Sequence, residues 1–205
     1  MNSKINHLDD VKISKRLSYL LRHGAIREGL DINPDGFVSL VEVLQKLPDC
    51  TTADIRRVVS TNSKNRFTLV EDEDRGLQIK ANQGHSLPSV NRLSLKPLIN
   101  PNFQIIHGTY LRNWNIIKTQ GLSRMKRNHI HFSKDLNFTC GLRRTAEVFI
   151  FINYSQSIEN GIEFFESENG VILSPGDEYG VIEPRYFSKV VTRDNKLLSS
   201  NNSTN

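Results

Sequence analysis

The stretch from Leu87 to Asn102 constrains this chain more than any other. It holds Pro88, Pro97 and Pro101 and shows neither helical nor strand periodicity. Proline has no amide hydrogen to give a helix interior or a sheet ladder, and it biases the residue before it toward extended backbone. Such a segment reads as a connection between domains, and the texture differs on its two sides. Before it, apolar residues recur at helical spacing; after it, short β-branched and aromatic runs prevail. The expected organisation is one lobe over residues 1–86, a linker over 87–102, a second lobe over 103–193 and a disordered polar tail over 194–205. A length of 205 residues suffices for cores without metals or disulfides.

In the first lobe, Ile13, Leu17, Leu20 and Leu21 form one helix face, with Arg22 and His23 in the last turn before an expected Gly24 cap. Two basic residues there either complement the helix dipole or make an anion site. Asn33 to Gly36 reads as a turn, Phe37-Val38 as a short extended piece, and Ser39 with Glu42 as a capping box for a helix through Leu47 that Pro48 ends. A third helix from Thr51 or Thr52 turns Ile55, Val58 and Val59 inward and Arg56 and Arg57 outward. Two β-like runs, Arg66 to Val70 and Leu77 to Ala81, flank an acidic turn. Three helices and a hairpin make a winged-helix-like lobe.

The second lobe is expected to hold strands over Phe103–His107 and His129–Ser133, and a helix over Leu111–Thr119 with Gly121 past its end. Val148 to Ile152 is a continuous apolar run suited to a central strand, with further strands at Phe164-Phe165, Val171–Leu173 and Val181-Ile182. The class is α+β.

Composition narrows function by exclusion. Two distant cysteines, Cys50 and Cys140, predict neither a disulfide framework nor a thiolate zinc site. No apolar run reaches the length of a membrane span and the polar N-terminus lacks a signal-peptide pattern, so a soluble intracellular protein of cytoplasm or nucleus is expected. A formal net charge of +5 permits a polyanion partner without requiring one. There is no Walker loop, no G-x-G-x-x-G, no G-x-S-x-G and no thiol nucleophile motif.

Three groups of residues carry the remaining signal. Lys64 and Arg66 enter the hairpin, and Lys80, Gln83, Gly84, His85 and Ser86 leave it; this is either a solvated rim or a ligand edge suited to phosphate oxygens. In the second group, alternation puts His129 and His131 on one strand face, while His107-Gly108-Thr109 brings an imidazole, bare backbone and a hydroxyl together. These are core histidines or the edge of a nucleotide site; no third or fourth metal ligand is at hand, and no metal is expected. The third group is Arg143-Arg144, of which an extended backbone turns only one to a given side.

Read in order, Leu-Leu-Arg22-His23, Lys-Asn-Arg66-Phe67, Gln-Gly84-His85-Ser86, His107-Gly108-Thr109, Asn-His-Ile-His131-Phe-Ser133 and Gly-Leu-Arg143 resemble the NAD-dependent RNA 2′-phosphotransferases, which include the tRNA 2′-phosphotransferases of tRNA splicing. The resemblance spans Ile13 to Phe187. It implies a winged-helix lobe followed by an ADP-ribosyltransferase-like lobe. It also implies a catalytic tetrad of Arg22, His23, Arg66 and Arg143, with Arg143 chosen over Arg144 by the Gly-x-Arg spacing. His107, Gly108, Thr109, His131 and Ser133 match the NAD-binding signature. Lys64, Lys80, Gln83, Gly84, His85 and Ser86 are expected to meet the RNA phosphate, Lys80 standing where some relatives have arginine.

The implied partners are NAD as co-substrate and an RNA, expected to be tRNA, with an internal 2′-phosphate; a monomer is expected. The implied reaction has two steps. The phosphate attacks the anomeric carbon of the nicotinamide ribose and expels nicotinamide; the ribose 2″-hydroxyl then attacks phosphorus, giving 2′-OH RNA and ADP-ribose 1″,2″-cyclic phosphate. Where protein-directed ADP-ribosyltransferases often carry a glutamate, this chain has the apolar stretch Val171-Ile172-Leu173, and a carboxylate there would repel a phosphate. The competing expectations are an ADP-ribosyltransferase acting on RNA ends or protein, and a winged-helix nucleic-acid binder without chemistry.

Overall fold

The computed structural model describes residues 7–137 and 140–200. The chain divides into two compact units, residues 1–94 and 95–205. The division falls within the proline-rich stretch, which is not a free tether. Leu87 and Val90 are buried in the core of unit 1, and Lys96–Pro97 forms a short strand of unit 2.

Unit 1 begins with α1 (His7–Tyr19), which widens into a π-helical turn over Leu20–Gly24. Ile13, Leu17, Leu20 and Leu21 are buried, as their spacing predicts. Gly24 is not the expected cap. It sits inside the π turn with the Tyr19 ring against it, where a Cβ would come within 2.7 Å of the ring. The left-handed position falls instead on Gly29 at φ +71°.

After β1 (Phe37–Ser39) comes α2 (Leu40–Gln45), and here the expected capping box does not form. Ser39 is committed to the sheet opposite Gln78, and the Glu42 carboxylate instead accepts from the Asp31 amide at 2.9 Å. The box lies one helix later, where Thr51 and Asp54 cap each other at the start of α3 (Thr52–Thr61). Strands β2 (Phe67–Asp72) and β3 (Gly76–Ala81) make the hairpin, and β1 adds to β3, giving the order β1-β3-β2. Leu17, Leu21, Leu40, Leu47, Ile55 and Ile79 are fully enclosed between helices and sheet.

Unit 2 is a set of small antiparallel sheets. Its elements are β4 (Lys96–Pro97), β5 (Ile106–Thr109), α4 (Leu111–Gln120), β6 (Leu122–Ser123), β7 (Ile130–Phe132) and β8 (Val148–Ile152). They continue with α5 (Tyr154–Glu159), β9 (Phe165–Glu166), β10 (Ile172–Ser174), β11 (Val181–Ile182), β12 (Phe187–Thr192) and β13 (Leu197–Ser200). One sheet runs β13-β12-β8-β5, a second β4-β9-β10-β7, and β11 pairs with β6. The run Val148–Ile152 is an interior strand, flanked on both sides.

The expected disordered tail needs correction over residues 197–200, which pair with β12 as β13. Asn195, at φ +63°, turns the chain back, and Leu198 packs against the core, so a polar-looking segment has both a ladder and a buried anchor. Residues 201–205 of that expectation lie outside the described residues. The class is mixed α and β, with five α-helices among the described residues.

The two larger sheets of unit 2 meet at one point. Ile106 and Ser133 exchange both backbone hydrogen bonds, at 3.0 and 2.8 Å, so β5 runs beside the end of β7. That bridge places His107 next to His131.

Candidate active site

In unit 1 the π turn sets Arg22 and His23 against the segment leaving the hairpin. The Ser86 amide donates to the Arg22 carbonyl, and the His23 Nδ1 shares a hydrogen bond with the Ser86 hydroxyl, both at 2.9 Å. Gly84, at φ +91°, packs 3.4 Å from the Arg22 guanidinium as judged from an added Cβ; its backbone conformation is one that a side chain would strain. π-helical turns of this kind occur disproportionately at functional sites. Here the irregularity turns consecutive residues toward one loop.

Arg66 is fixed by asparagines that sequence reasoning passed over. Asn62 Oδ1 accepts from Arg66 Nη1 and from the Lys64 amide, both at 3.2 Å. Asn82 is buried, receives the Thr68 hydroxyl at 2.7 Å, and donates from its amide group to the Asn65 carbonyl at 2.8 Å. Its backbone amide donates to the Arg66 carbonyl. The turn Asn62–Arg66, with Asn65 at φ +41°, is therefore pinned from both ends. Asn at a turn signals this chemistry in sequence; its aim at an arginine does not.

The remaining unit 1 candidates split by exposure. Gln83 and Ser86 are half-buried. Lys80 is only 5% exposed, its ammonium 4.8 Å from the centre of the Phe37 ring. His85 is 1% exposed and packs against Gly36, so its side chain belongs to the interior and is the least placed of the group to meet a ligand.

In unit 2, His107 donates from Nδ1 to the His131 carbonyl at 2.9 Å and sets its ring edge-on to Phe132. A carbonyl can only accept, so Nδ1 carries the proton and Nε2 is the open acceptor of the neutral ring. Burial holds the His107 pKa below its usual range; the bond to His131 opposes this, and the charges of Arg143 and Arg127 push further down. Burial also lowers Arg127, and Arg143 adds to that. His129 is depressed mainly by burial, with Arg124 contributing.

Gly108 makes this arrangement possible. A Cβ there would come within 2.6 Å of Leu142 Cδ2 and 3.1 Å of Ala146, so only glycine lets the 142–146 segment lie on β5. Arg143 is thereby brought over the Tyr110 ring, 5.8 Å from its centre, and within electrostatic reach of His107. The Tyr110 phenol, hydrogen-bonded to Thr145 at 3.0 Å and beside Arg143, has its pKa lowered by both. The Arg144 carbonyl receives Arg193. Of the adjacent pair, Arg143 is thus the member gathered with the histidine. Arg127 was missed, although the basic run Arg124–Arg127 was visible in the sequence.

Two hydroxyls expected to meet NAD have other partners. Thr109 Oγ1 accepts from Asn113 at 3.3 Å. Ser133 is fully enclosed and directs its hydroxyl to the carbonyls of Asp135 at 2.8 Å and Cys140 at 3.2 Å, closing the loop after β7. Thr109 accepts in that bond and its own O–H is not used by it, whereas the Ser133 hydroxyl is directed into the loop. Among the described residues no salt bridge ends on Arg127 or Arg143.

Each unit of this mixed α and β protein thus gathers arginine and histidine side chains, the residue types that can meet phosphate oxygens. Comparison with known sequences gives the particular family. The family described as RNA 2′-phosphotransferase, Tpt1 / KptA family matches residues 8–176. The chain is similar to tRNA 2′-phosphotransferase 1 of Homo sapiens, 44% identical over 193 residues, covering 89% of this chain and 76% of that protein. It is 43% identical over 191 residues to tRNA 2′-phosphotransferase 1 of Danio rerio, covering 88% and 84%. It is 37% identical over 204 residues to tRNA 2′-phosphotransferase of Saccharomyces cerevisiae, covering 91% and 85%. The chain belongs to the RNA 2′-phosphotransferase family, whose named members here are enzymes. Among the described residues no helix is long and apolar enough to cross a membrane.

Proposed function

We propose that this protein removes an internal 2′-phosphate from RNA, tRNA being the substrate in the names of its relatives, and does so with NAD as co-substrate. The observation that carries the NAD reading is the gathering of Arg127 and Arg143 about a desolvated His107 with no acidic side chain in salt-bridge contact with either guanidinium among the described residues. Like charges held together are relieved by a bound anion, and a diphosphate supplies one. The order of helices and hairpin in unit 1 and the split antiparallel sheets of unit 2 support winged-helix-like and ADP-ribosyltransferase-like assignments.

NAD would supply an electrophilic anomeric carbon with nicotinamide as leaving group. This chain's residues do the rest by position and charge. A phosphate monoester, with second pKa near 6, is already an anionic nucleophile at neutral pH, so no strong general base is required. Arg22 and Arg66 offer guanidinium forks for its oxygens, and the asparagine-pinned turn spares Arg66 reorganisation as charge develops there. His23, held by Ser86, donates to phosphate or exchanges a proton during transesterification. Arg143 answers charge beside the ribose, and the neutral His107 presents Nε2 to a ribose hydroxyl.

The test is incubation with a short RNA bearing one internal 2′-phosphate, with and without NAD, resolving RNA and nucleotide products. Phosphate loss only with NAD, together with ADP-ribose cyclic phosphate, is expected. RNA that gains ADP-ribose and keeps its phosphate would identify an ADP-ribosyltransferase instead. No NAD-dependent change would overturn the reading.

A further inference from the structure

Unit 1 carries a groove of about 630 Å³ that the assignments above leave without a purpose. It is lined from α1 by Val11, Ser14 and Lys15, from α3 by Val58, and from the turn after α3 by Ser63 and Arg66. Its volume falls in the range of small-ligand sites and exceeds what one phosphate needs beside Arg66.

The lining is mixed in a way that matches a nucleoside. Val11, 46% exposed, gives an apolar surface, and the exposed Lys15 gives a methylene stem with a charge at its tip. Ser14 and Ser63 supply neutral hydroxyls suited to ribose and base edges, where RNA is commonly read. Asp10 also reaches the groove; Arg57 holds its carboxylate at 2.9 and 3.1 Å and offsets part of its charge, the same guanidinium also binding Asp54 at 2.7 Å.

A hydrogen-bonded link joins the groove to the candidate phosphate clamp. Asn62 donates from Nδ2 to the Ser14 hydroxyl at 3.4 Å and accepts from Arg66 Nη1 at 3.2 Å. Asn62 is thus a shared partner of the groove wall and the guanidinium. We infer that this groove binds the nucleoside of single-stranded RNA adjoining the 2′-phosphate, an inference that rests on reading Arg66 as a phosphate-binding residue.

Binding tests this without turnover. A fluorescein-labelled short single-stranded RNA, with or without the 2′-phosphate, is titrated by anisotropy into the full chain and into Lys15→Glu and Val11→Asp. Both positions are exposed, and an unchanged circular dichroism spectrum verifies folding. Each variant is expected to weaken Kd about tenfold for both RNAs. Variants that bind like the wild type, or a wild type that does not bind, would overturn the inference. A 4-thiouridine next to the 2′-phosphate is expected to crosslink within residues 11–18 or 61–66, and crosslinks confined to other segments would also overturn it. If no RNA loses phosphate while binding still depends on Lys15 and Val11, the phosphotransfer reading fails and the groove stands.

Discussion

In unit 1 Arg66 and His23 each meet a neutral side-chain partner, whereas in unit 2 the basic groups are set against one another. Arg66 points at an asparagine oxygen and His23 at a serine hydroxyl, partners that orient a charge without cancelling it. The charges of Arg143 and Arg127 lower the affinity of His107 for protons and Arg143 lowers that of Arg127, and the fold tolerates that crowding because Gly108 lets the Leu142 segment lie close. The first arrangement is preorganised for an anion that comes and goes. The second is held in tension that an anion would release.

The largest effect is expected at Arg143. Arg143→Ala should lower single-turnover phosphate removal by roughly 10²- to 10³-fold, the usual loss when one preorganised electrostatic donor is deleted. The side chain is exposed, so folding should survive. Arg144→Ala, one residue along, should change the rate less than about threefold. Equal losses in both would mean that the segment offers a general positive field and that the placement of Arg143 beside His107 is incidental.

Next comes the glycine that allows the crowding. Gly108→Ala should cost about 1–3 kcal/mol of stability through overpacking against Leu142, and it should lower activity by displacing Arg143. Leu142→Ala in the same chain should restore part of both, because the clash is with that side chain. Additive losses in the double variant, measured by urea denaturation and kinetics, would place the constraint elsewhere.

The two units should also differ in how acid unfolds them. Burial holds the folded pKa values of His107 and His129 below the ordinary histidine value of about 6.5. Below about 6.5 the unfolded chain therefore binds more protons than the folded one, so their contribution to stability is intact above that pH and is lost as pH falls toward the depressed values. In unit 1, Asp54 is lowered from 3.8 to about 2, chiefly by hydrogen bonds from Thr51 and then by Arg57. Its contribution persists above 3.8 and is lost only as pH falls through about 2. Trp114, in unit 2, reports on that unit by fluorescence. Urea midpoints that do not fall between pH about 7.5 and about 5.5, or that fall equally in His107→Gln, would remove the histidine from this account.

The sequence made some of this legible for simple reasons. Five consecutive apolar residues, Val148–Ile152, can only be satisfied by burial on both faces, and they form an interior strand. The hairpin followed from two apolar runs flanking an acidic turn. What stayed hidden depended on tertiary competition for one group. Ser39 and Glu42 have the spacing of a capping box, but a sheet partner claims the backbone of one and Asp31 the carboxylate of the other. The π turn that orients Arg22 and His23, with the Tyr19 ring lying on Gly24, is a local widening that periodicity cannot register. Ser133 has the residue type for a ligand contact, yet its hydroxyl closes a loop. Residue chemistry identified the candidates; only packing says which way each one points.

The smallest effect separates stability from chemistry within unit 1. Thr51 and Asp54 form the reciprocal cap of α3, with the Thr51 side chain accepting from the Asp54 amide at 3.2 Å and the Asp54 carboxylate accepting from the Thr51 amide at 3.0 Å. Thr51→Ala removes one half of that exchange and should cost about 1 kcal/mol. Ser86→Ala likewise removes a single hydroxyl, the partner of the His23 ring. If neutral acceptors in unit 1 exist to aim charges, the two variants must diverge although each loses one hydroxyl. Ser86→Ala should shift the pH profile of turnover while barely moving the urea midpoint; Thr51→Ala should move the midpoint and leave the profile unchanged. Should both move stability alone, Ser86 is a packing residue and the π turn holds His23 in place without it.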